Sequence, residues 1–435
     1  MKGGEHLHFG GVDVVELAER FGTPLIVTDE ARVRENFRAY KEAFSAFKEE
    51  VAVVEDVEIY YAVKANWSLA ILRILATEGS GADVVSDFEL KSAMLAGIPP
   101  QKIIFNGNAK SEDELRLAVE TGVCVCLDST DEADALSDVA RFCNLCEDER
   151  VKVAVRVNPE ISVRTHPKIA TALKTSKFGI PAEEVFAACS YVERRGLALC
   201  GIHCHVGSQI FELSVFREAA EKMLHIASHL QQKFEIDFVD LGGGLGIGYM
   251  PSEKKNAPTP KDLAHAFMPA FKSARLREPV RLILEPGRSI VGNASILLTK
   301  VQAVKRAAKN FVAVDAGFNI LVRPAMYGAY HEILVANKIG VEPAEEYTIV
   351  GPLCESGDIF GERRLPPVKR GDILAILDVG AYGFSMSSQY NMRPRCAEVL
   401  VSNGRAELVR ERETFGDFLR HQIIPPRLLG FPCET

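Results

Sequence analysis

Short β-rich apolar runs alternate with longer amphipathic segments between residues 59 and 288. From Val215 to Leu230, apolar side chains recur at three- and four-residue steps, which predicts a helix with one buried face. Eight such strand-then-helix repeats favour a closed parallel (β/α)8 barrel over an open sheet. The predicted strands are residues 59–64, 82–86, 102–106, 123–128, 152–157, 199–206, 237–242 and 281–286.

The pattern of apolar and polar positions changes after residue 290. The long helical periods disappear, and strand-like runs follow one another with turn signals such as the Asn-Gly pair at 403–404. We therefore predict an α/β protein in which a second, mainly β, barrel-like domain follows the TIM-type barrel. We place the barrel at 36–290 and the β domain at 1–35 plus 291–435, with IVTDE (26–30) as a candidate strand of the latter.

Composition narrows the class of protein. Among 435 residues, 47% are hydrophobic and 25% charged, and the net charge is -8, which argues against nucleic-acid or anionic-membrane partners. No apolar stretch approaches the roughly 20 residues that span a bilayer, and the N-terminus lacks the apolar core of a signal peptide. We therefore expect a cytoplasmic enzyme. Its lone CxxC pair, Cys143 and Cys146, has no second pair at zinc-site spacing, so we predict no metal.

Polar and glycine residues cluster where the predicted strands finish, the rim on which barrel enzymes build their sites. Lys64 ends the run IYYAVK, and an amine at the end of a buried strand is a candidate for covalent chemistry with an aldehyde. The structural alternative is a lysine that snorkels from a strand end. The other rim candidates are Asp83, Ser86, Asn106, Arg156, His205, Ser208, Gly242 to Gly244, Glu285 and Arg288.

The run Gly242 to Gly246 directly follows the strand DFVDL. Consecutive glycines let backbone N–H groups close on a phosphate, although a tight strand-to-helix turn is the alternative. Neither the dinucleotide fingerprint nor a P-loop spacing is present, so one cofactor phosphate fits better than NAD or ATP. Glu285 could keep a pyridine nitrogen protonated and Arg288 could bind a carboxylate, unless the two form a structural salt bridge.

Two histidines end the sixth predicted strand. By strand alternation His203 and His205 point to the same side, and His205 lies nearer the rim. An imidazole there can stack on a flat cofactor, and the Ser208 hydroxyl can reach a phosphate. For His203 we favour a hydrogen-bonded core position.

The motifs YYAVKAN, HVGS, GGGLG, EPGR, CESGD and GAYGFSMSSQYNMRPR follow one another along nearly the whole chain. In this order they resemble the pyridoxal-phosphate decarboxylases of the alanine-racemase-like fold, and most closely the diaminopimelate decarboxylase family. The resemblance implies pyridoxal 5′-phosphate attached to Lys64, with His205 stacked on the ring and Glu285 at its nitrogen. The implied cofactor-binding residues are Lys64, Asp83, His205, Ser208, Gly243, Gly244, Glu285, Gly287, Arg288 and Tyr382, with Glu89 and Arg156 in support.

The same resemblance implies decarboxylation of meso-2,6-diaminopimelate to L-lysine and CO2, the last step of lysine biosynthesis. It makes Lys64, His205 and Cys354 the catalytic residues, with Cys354 as a proton donor supplied by the partner subunit of a head-to-tail homodimer whose active sites lie at the interface. One arginine for a distal carboxylate and one glutamate for a distal ammonium suit a diamino diacid. The implied substrate-binding residues are Arg288, Arg323, Tyr327, Glu355 and Tyr382.

Three alternatives remain open at this point. A sister decarboxylase would act on carboxynorspermidine, ornithine, arginine or a siderophore precursor. A racemase would favour an arginine near the ring nitrogen and a second base, and a non-catalytic relative would be expected to lose the lysine, the cysteine or the glycine run.

Two segments complete the comparison with the family. The chain departs from the family at Asp87-Phe88, where a glycine pair is usual. Residues 164–180 resemble the family's mobile segment.

Overall fold

The computed structural model describes residues 5–143, 150–161 and 176–429. Most of the segment 164–180 and Cys146 of the CxxC pair lie outside these residues. The chain divides into two compact units, which we call the barrel unit and the β unit. The barrel unit is Asp29–Ser295 with Asp378–Ser385, and the β unit is Met1–Thr28, Ile296–Leu377 and Met386–Thr435.

The strands are β1 His8–Phe9, β2 Val12–Asp13, β3 Leu25–Asp29, β4 Val54–Ala62, β5 Gly81–Val84, β6 Ile103–Phe105, β7 Cys124–Leu127, β8 Lys152–Asn158, β9 Ile180–Pro181, β10 Ala198–His203, β11 Phe238–Asp240, β12 Val280–Leu284, β13 Ser295–Arg306, β14 Asn310–Val314, β15 Ile333–Val335, β16 Glu345–Val350, β17 Ile359–Leu365, β18 Ile373–Ile376, β19 Ala397–Ser402 and β20 Arg405–Arg410. The helices are α1 Val14–Phe21, α2 Glu30–Glu49, α3 Leu69–Thr77, α4 Asp87–Leu95, α5 Glu112–Thr121, α6 Thr130–Phe142, α7 Val185–Arg194, α8 Leu213–Leu230, α9 Pro251–Lys254, α10 Pro260–Ser273, α11 Arg288–Val291, α12 Arg323–Tyr327 and α13 Phe415–Leu419. Among the described residues we find no helix with the length and apolar character needed to span a bilayer.

Eight parallel strands of the barrel unit close on themselves. The pairing runs through β4, β5, β6, β7, β8, β10, β11 and β12 and returns to β4. Inward-facing side chains from alternate positions fill the interior, so the barrel is a packed core and not a pore. The eight-stranded TIM-type barrel predicted from the sequence is confirmed. One interior layer consists of Tyr60, Ile104, Cys126, Ala154, Cys200, Phe238 and Ile283.

The helices outside the barrel bury one apolar face each. On α2, Phe37, Tyr40, Phe44 and Phe47 are almost fully buried, and Phe47 packs edge-on against Phe271 of α10, with ring centroids 5.2 Å apart. This three- and four-residue spacing of aromatics covers the barrel and leaves the polar face of α2 to solvent. The parallel strands all end at the same rim, which therefore collects residues distant in sequence.

The β unit contains a mainly antiparallel sheet with strand order β17-β16-β14-β13-β3-β19-β20. The candidate strand at IVTDE is present as β3, between β13 and β19. Strands β19 and β20 form a hairpin, and Asn403 and Gly404 both have positive φ at its turn, 50° and 73°. An Asn-Gly pair adopts that conformation readily, so the predicted turn is confirmed.

Candidate active site

Lys64 lies just beyond the first barrel strand. Strand β4 ends at Ala62, two residues earlier than predicted, and a single 3-10 turn from Val63 to Ala65 carries the lysine onto the rim. Its Nζ donates a hydrogen bond to Oδ2 of Asp83, a fully buried residue on β5. Burial alone would lower the pKa of Lys64, but the charges of Asp83 and Glu285 outweigh it and raise that pKa above the ordinary value.

Glu285 directly follows β12 and is 3% exposed. One carboxylate oxygen accepts from Asn106 Nδ2 at 2.6 Å, and the other lies 3.1 Å from His203 Nε2. Burial works to raise its pKa, but His203 and Lys64 outweigh burial and hold the pKa of Glu285 well below its usual range. The neighbouring Asp240 shows the opposite shift, because burial and the charge of Glu285 raise its pKa. Glu285 is therefore the ionised member of this carboxyl pair.

Asn106 is a site residue whose importance the sequence did not reveal. Its Nδ2 donates to Asp83 Oδ1 at 2.8 Å as well as to Glu285 Oε1, so one amide joins the two carboxylates. Sequence reasoning placed Asn106 on the rim without a role. His203 was expected to be a hydrogen-bonded core histidine, and the structure buries it with Glu285 as its hydrogen-bond partner.

One cavity of about 350 Å³ in the barrel unit is lined by Lys64, Asn106, His203 and Glu285, among other residues. Arg156 lies over the Phe178 ring at 4.5 Å and forms part of the wall. The structure therefore brings the predicted Lys64, His205 and Glu285 into one place. The cavity is lined by Lys64, Val85, Asn106, Gly107, Asn108, Arg156, Phe178, His203, His205 and Glu285.

His205 follows the end of β10, and its Nδ1 accepts a hydrogen bond from the Gly243 backbone N–H at 3.2 Å. That bond leaves the proton of the neutral ring on Nε2. Burial, followed by the charges of Lys64 and Arg156, lowers the pKa of His205 to about 3. The imidazole is therefore uncharged at neutral pH, as a ring that stacks on a flat cofactor should be.

This shift predicts an acid-dependent loss of stability in the cofactor-free protein. Between pH 6.5 and about 3 the unfolded chain binds a proton at His205 that the folded chain does not, so the free energy of unfolding falls as the pH drops below 6.5. Replacing His205 by phenylalanine should make the decrease between neutral pH and pH 5 smaller by about 2 kcal/mol. Urea unfolding at both pH values measures this, and the exposed His229→Phe serves as the control. Equal pH dependence in wild type and His205→Phe would contradict the prediction.

The glycine run after β11 brings the backbone close to its neighbours. A side chain at Gly243 would collide with the Glu285 carbonyl, and one at Gly244, whose φ is 119°, would collide with the Gly207 carbonyl. Only glycine fits both positions, because the run passes directly against these two carbonyl groups. Gly287 is similarly close-packed, since its Cβ would lie 3.0 Å from the methyl groups of Ala62 and Ala65.

Arg288 begins α11 and is almost buried among polar and aromatic groups. Its Nη2 donates to Ser208 Oγ at 2.9 Å and its Nη1 to the Tyr249 hydroxyl at 2.8 Å. Its guanidinium also lies 4.9 Å from the centroid of the Tyr382 ring. Tyr382 belongs to the barrel unit, and its backbone N–H bonds the Ala65 carbonyl beside Lys64.

At Asp87-Phe88, where the family usually has a glycine pair, helix α4 begins with regular geometry. Ser86 caps α4 by accepting from the Glu89 N–H, Lys91 pairs with Asp87, and Phe88 is 74% exposed. Glu89 in turn accepts from the Val85 N–H at 2.9 Å, and burial raises its pKa to about 7. Glycines are therefore not needed for this turn.

The remaining predicted residues belong to the β unit. Arg323 and Tyr327 begin and end the one-turn helix α12, and Arg323 Nη1 lies 2.7 Å from His331 Nε2. Cys354 is exposed, and its backbone N–H donates to the Asn391 side chain. The adjacent Glu355 accepts a hydrogen bond from the Tyr390 hydroxyl at 2.6 Å.

Comparison with known proteins decides the family. The family model described as pyridoxal-dependent decarboxylase, pyridoxal binding domain, matches residues 31–292. The diaminopimelate decarboxylase of Archaeoglobus fulgidus is 51% identical over 424 residues, which cover 96% of this chain and 97% of that protein. The one from Methanothermobacter thermautotrophicus is 44% identical over 432 residues, covering 98% and 97%. The chain belongs to the diaminopimelate decarboxylase family.

A solved structure of this family extends the likeness to the fold. The diaminopimelate decarboxylase of Methanocaldococcus jannaschii, crystallised with L-lysine, has 42% sequence identity and a TM-score of 0.88, and the match covers 96% of this chain and 95% of that one. The predicted pyridoxal-dependent decarboxylase with a TIM-type barrel and a mainly β domain is thereby confirmed.

The residues present suit pyridoxal phosphate. An aldehyde requires an amine, a protonated pyridine nitrogen requires a carboxylate, and a phosphate requires hydroxyl and backbone N–H donors. Lys64, Glu285, Ser208 and the glycine run supply these groups. Among the described residues, Asn106 Oδ1 and His203 Nδ1 are buried atoms without a hydrogen-bond partner. The cavity can therefore form further hydrogen bonds with a bound ligand. One possible metal-ligand atom from each of His203, Asp240 and Glu285 lies within 4.8 Å of the other two, but a cation there would compete for Glu285.

Proposed function

We propose that this enzyme converts meso-2,6-diaminopimelate to L-lysine and CO2, the last step of lysine biosynthesis, with Lys64 as the amine that carries pyridoxal phosphate. The observation that supports the assignment best is one cavity that contains both Lys64, paired with Asp83, and the ionised Glu285. An amine and a carboxylate in one pocket are what the aldehyde and the pyridine nitrogen of this cofactor require.

Bound pyridoxal phosphate supplies an aldehyde for the substrate amine and an electron sink for the electron pair left when CO2 departs. Lys64 must lose a proton before its lone pair can react, and Asp83 Oδ2 is the acceptor already in hydrogen-bond contact with Nζ. Because Asp83 and Glu285 stabilise the ammonium form, the free amine is available only when the proton has moved. Asn106 donates a hydrogen bond to each of these carboxylates, so its amide holds both of them in place around the amine.

Glu285 would stabilise a proton on the ring nitrogen of the bound cofactor. His203 and Lys64 keep its carboxylate ionised, and a hydrogen bond from the Asn106 amide fixes its orientation. The carboxylate can therefore accept a hydrogen bond before the reaction begins. His205, a neutral imidazole, would pack against the cofactor ring. Ser208, Gly243 and Gly244 would hold the phosphate. The residues that would support these groups are Arg288, Tyr382, Gly287, Arg156, Asp83 and Glu89.

The β unit recognises the far end of the substrate. We assign Arg323, with Tyr327, to the distal carboxylate and Glu355 to the distal ammonium, while Arg288 and Tyr382 of the barrel unit also bind substrate. Cys354 donates the proton that replaces CO2. In each active site this cysteine belongs to the partner subunit, because the protein is a cytoplasmic homodimer with active sites at the interface. Sedimentation of the purified protein tests the dimer, and a monomer with full activity would overturn it.

The test of the function is incubation of the purified protein with pyridoxal phosphate and meso-diaminopimelate, followed by product identification. L-Lysine and CO2 in equal amounts are expected. Ornithine, arginine and carboxynorspermidine serve as parallel substrates, and preferential CO2 release from any of these would overturn the substrate assignment. Racemised substrate without CO2 would overturn the reaction itself.

Replacing Cys354 by alanine should slow product formation by about a hundredfold or more, since a positioned general acid contributes that much. The absorbance of the bound cofactor should remain, because Lys64 is untouched. Steady-state kinetics and a visible spectrum of the same sample check both statements. The matched control is Cys143→Ala at the end of α6, where no loss is expected. Normal turnover of Cys354→Ala would contradict the assignment.

A further inference from the structure

His331 is fully buried in the β unit and contacts the Arg323 guanidinium. Its Nε2 lies 2.7 Å from Arg323 Nη1, and its Nδ1 lies 2.8 Å from the Leu377 carbonyl oxygen. A carbonyl oxygen only accepts hydrogen bonds, and a guanidinium only donates them. The proton of the ring is therefore on Nδ1, Nε2 presents a lone pair to Arg323, and the imidazole is neutral.

The backbone of His331 is fixed as firmly as its ring. Nε and Nη2 of Arg363, on β17, both donate to the His331 carbonyl oxygen, and the Arg363 guanidinium lies 3.9 Å from the centroid of the Tyr330 ring. Two residues later the chain enters β15, which pairs with β18. The imidazole therefore cannot follow Arg323 if the arginine rotates, and its position determines where the guanidinium points.

A neutral acceptor differs from a carboxylate in one important respect. A carboxylate would orient the guanidinium and also place a negative charge against it, whereas a neutral imidazole orients the guanidinium without adding a negative charge. We propose that His331 is a positioning residue that directs the Arg323 guanidinium toward the distal carboxylate of the substrate. It thereby determines selectivity for substrates that carry this carboxylate. This inference rests on the proposed function, which assigns Arg323 to that group.

The test compares two ligands of the holoenzyme that differ by a single carboxylate. L-Lysine, the proposed product, retains the distal carboxylate, and cadaverine is the same chain without it. In His331→Phe, which keeps a planar ring but has no acceptor, the inhibition constant of L-lysine should rise by about 10- to 100-fold, the effect of a hydrogen bond to a charged group. The inhibition constant of cadaverine should change by less than about threefold.

Kinetics separate positioning from a general structural defect. KM for meso-diaminopimelate should rise by the same factor as the L-lysine constant, with a much smaller change in kcat. His331→Gln should restore part of the affinity, because its amide oxygen can accept from Arg323. The control is His225→Asn on the exposed face of α8, which should behave as wild type.

A double-mutant cycle tests whether His331 acts through Arg323. In an Arg323→Lys background, His331→Phe should weaken L-lysine binding little further. A full additional loss in that background, or equal weakening of L-lysine and cadaverine, would overturn the proposal. If wild type releases no CO2 from meso-diaminopimelate, the proposed function fails. If wild type turns over normally but His331→Phe binds L-lysine as wild type does, only the role of His331 fails.

The unmodified enzyme provides an independent measurement should the His331 variants not fold. Nitrogen-15 NMR of histidine-labelled holoenzyme at neutral pH should show His331 as the neutral ring protonated on Nδ1. A charged ring, or the tautomer protonated on Nε2, would overturn the proposal, because neither can accept from Arg323.

Discussion

Replacing Lys64 by alanine should abolish the visible absorbance of the bound cofactor and reduce turnover by about a thousandfold or more, since the variant lacks the amine that would bind the aldehyde. Within the described cavity Lys64 is the only lysine, and it is the residue that Asp83 and Glu285 hold in its ammonium form. Both spectrum and rate should therefore be lost together. Absorbance spectra and CO2 release measured on one preparation provide the comparison.

Lys64→Arg separates the chemistry of the amine from its charge. The guanidinium preserves a positive charge beside Asp83 but is never deprotonated in a protein, so it cannot attack an aldehyde. We expect this variant to fold as wild type does and to be as inactive as Lys64→Ala. Borohydride reduction of the cofactor-saturated wild type, followed by mass spectrometry, should find the cofactor on Lys64. A label on another lysine would contradict both the variant prediction and the assignment.

The barrel could be predicted because its signal is local and repeated. Each strand is a short apolar run followed by a helix with three- and four-residue spacing, and each predicted strand overlaps one of the eight observed strands. The exact strand ends were less predictable. Strand β4 ends at Ala62, since Val63 to Ala65 form a 3-10 turn, and β10 ends at His203. Apolar character alone does not distinguish a strand from the buried turn that follows it.

The network around Glu285 could not be predicted in the same way. Asn106 lies 23 residues from Asp83 and 179 from Glu285 in sequence, and only barrel closure brings its amide between them. The sequence pattern placed all three on the rim but carried no information about their hydrogen bonds. His203 was expected to be a hydrogen-bonded core histidine, but the identity of its partner was not predicted, because alternation indicates which face a side chain lies on and not what it contacts.

The contact between His331 and Arg323 illustrates a third case. The two residues are eight positions apart, yet the helix α12 and the turn after it determine whether their side chains meet. Motif resemblance pointed to Arg323 and Tyr327, because those positions match the substrate-binding pattern of the family. The histidine that orients the arginine has no chemistry of its own in the reaction, so only the fold reveals it.

Glu285→Gln should lower kcat by about a hundredfold or more while the cofactor remains bound. Glutamine has nearly the same shape as glutamate, and its amide oxygen can still accept from Asn106 Nδ2, so the cavity should keep its geometry. What disappears is the negative charge that His203 and Lys64 maintain at this position. Without that charge a proton on the ring nitrogen is no longer stabilised, and the electron pair released with CO2 has a poorer sink.

Visible absorbance, KM and kcat of Glu285→Gln distinguish this cause from misfolding. The absorbance of the cofactor on Lys64 should persist and KM should change little, so the loss should be confined to kcat. A matched control is Glu398→Gln on β19, another buried glutamate, whose pKa burial raises to about 7. At mildly acid pH Glu398 already carries little charge, so replacing it by glutamine should leave kcat at that pH unchanged. A kcat for Glu285→Gln within about threefold of wild type would show that ring-nitrogen protonation does not depend on this carboxylate.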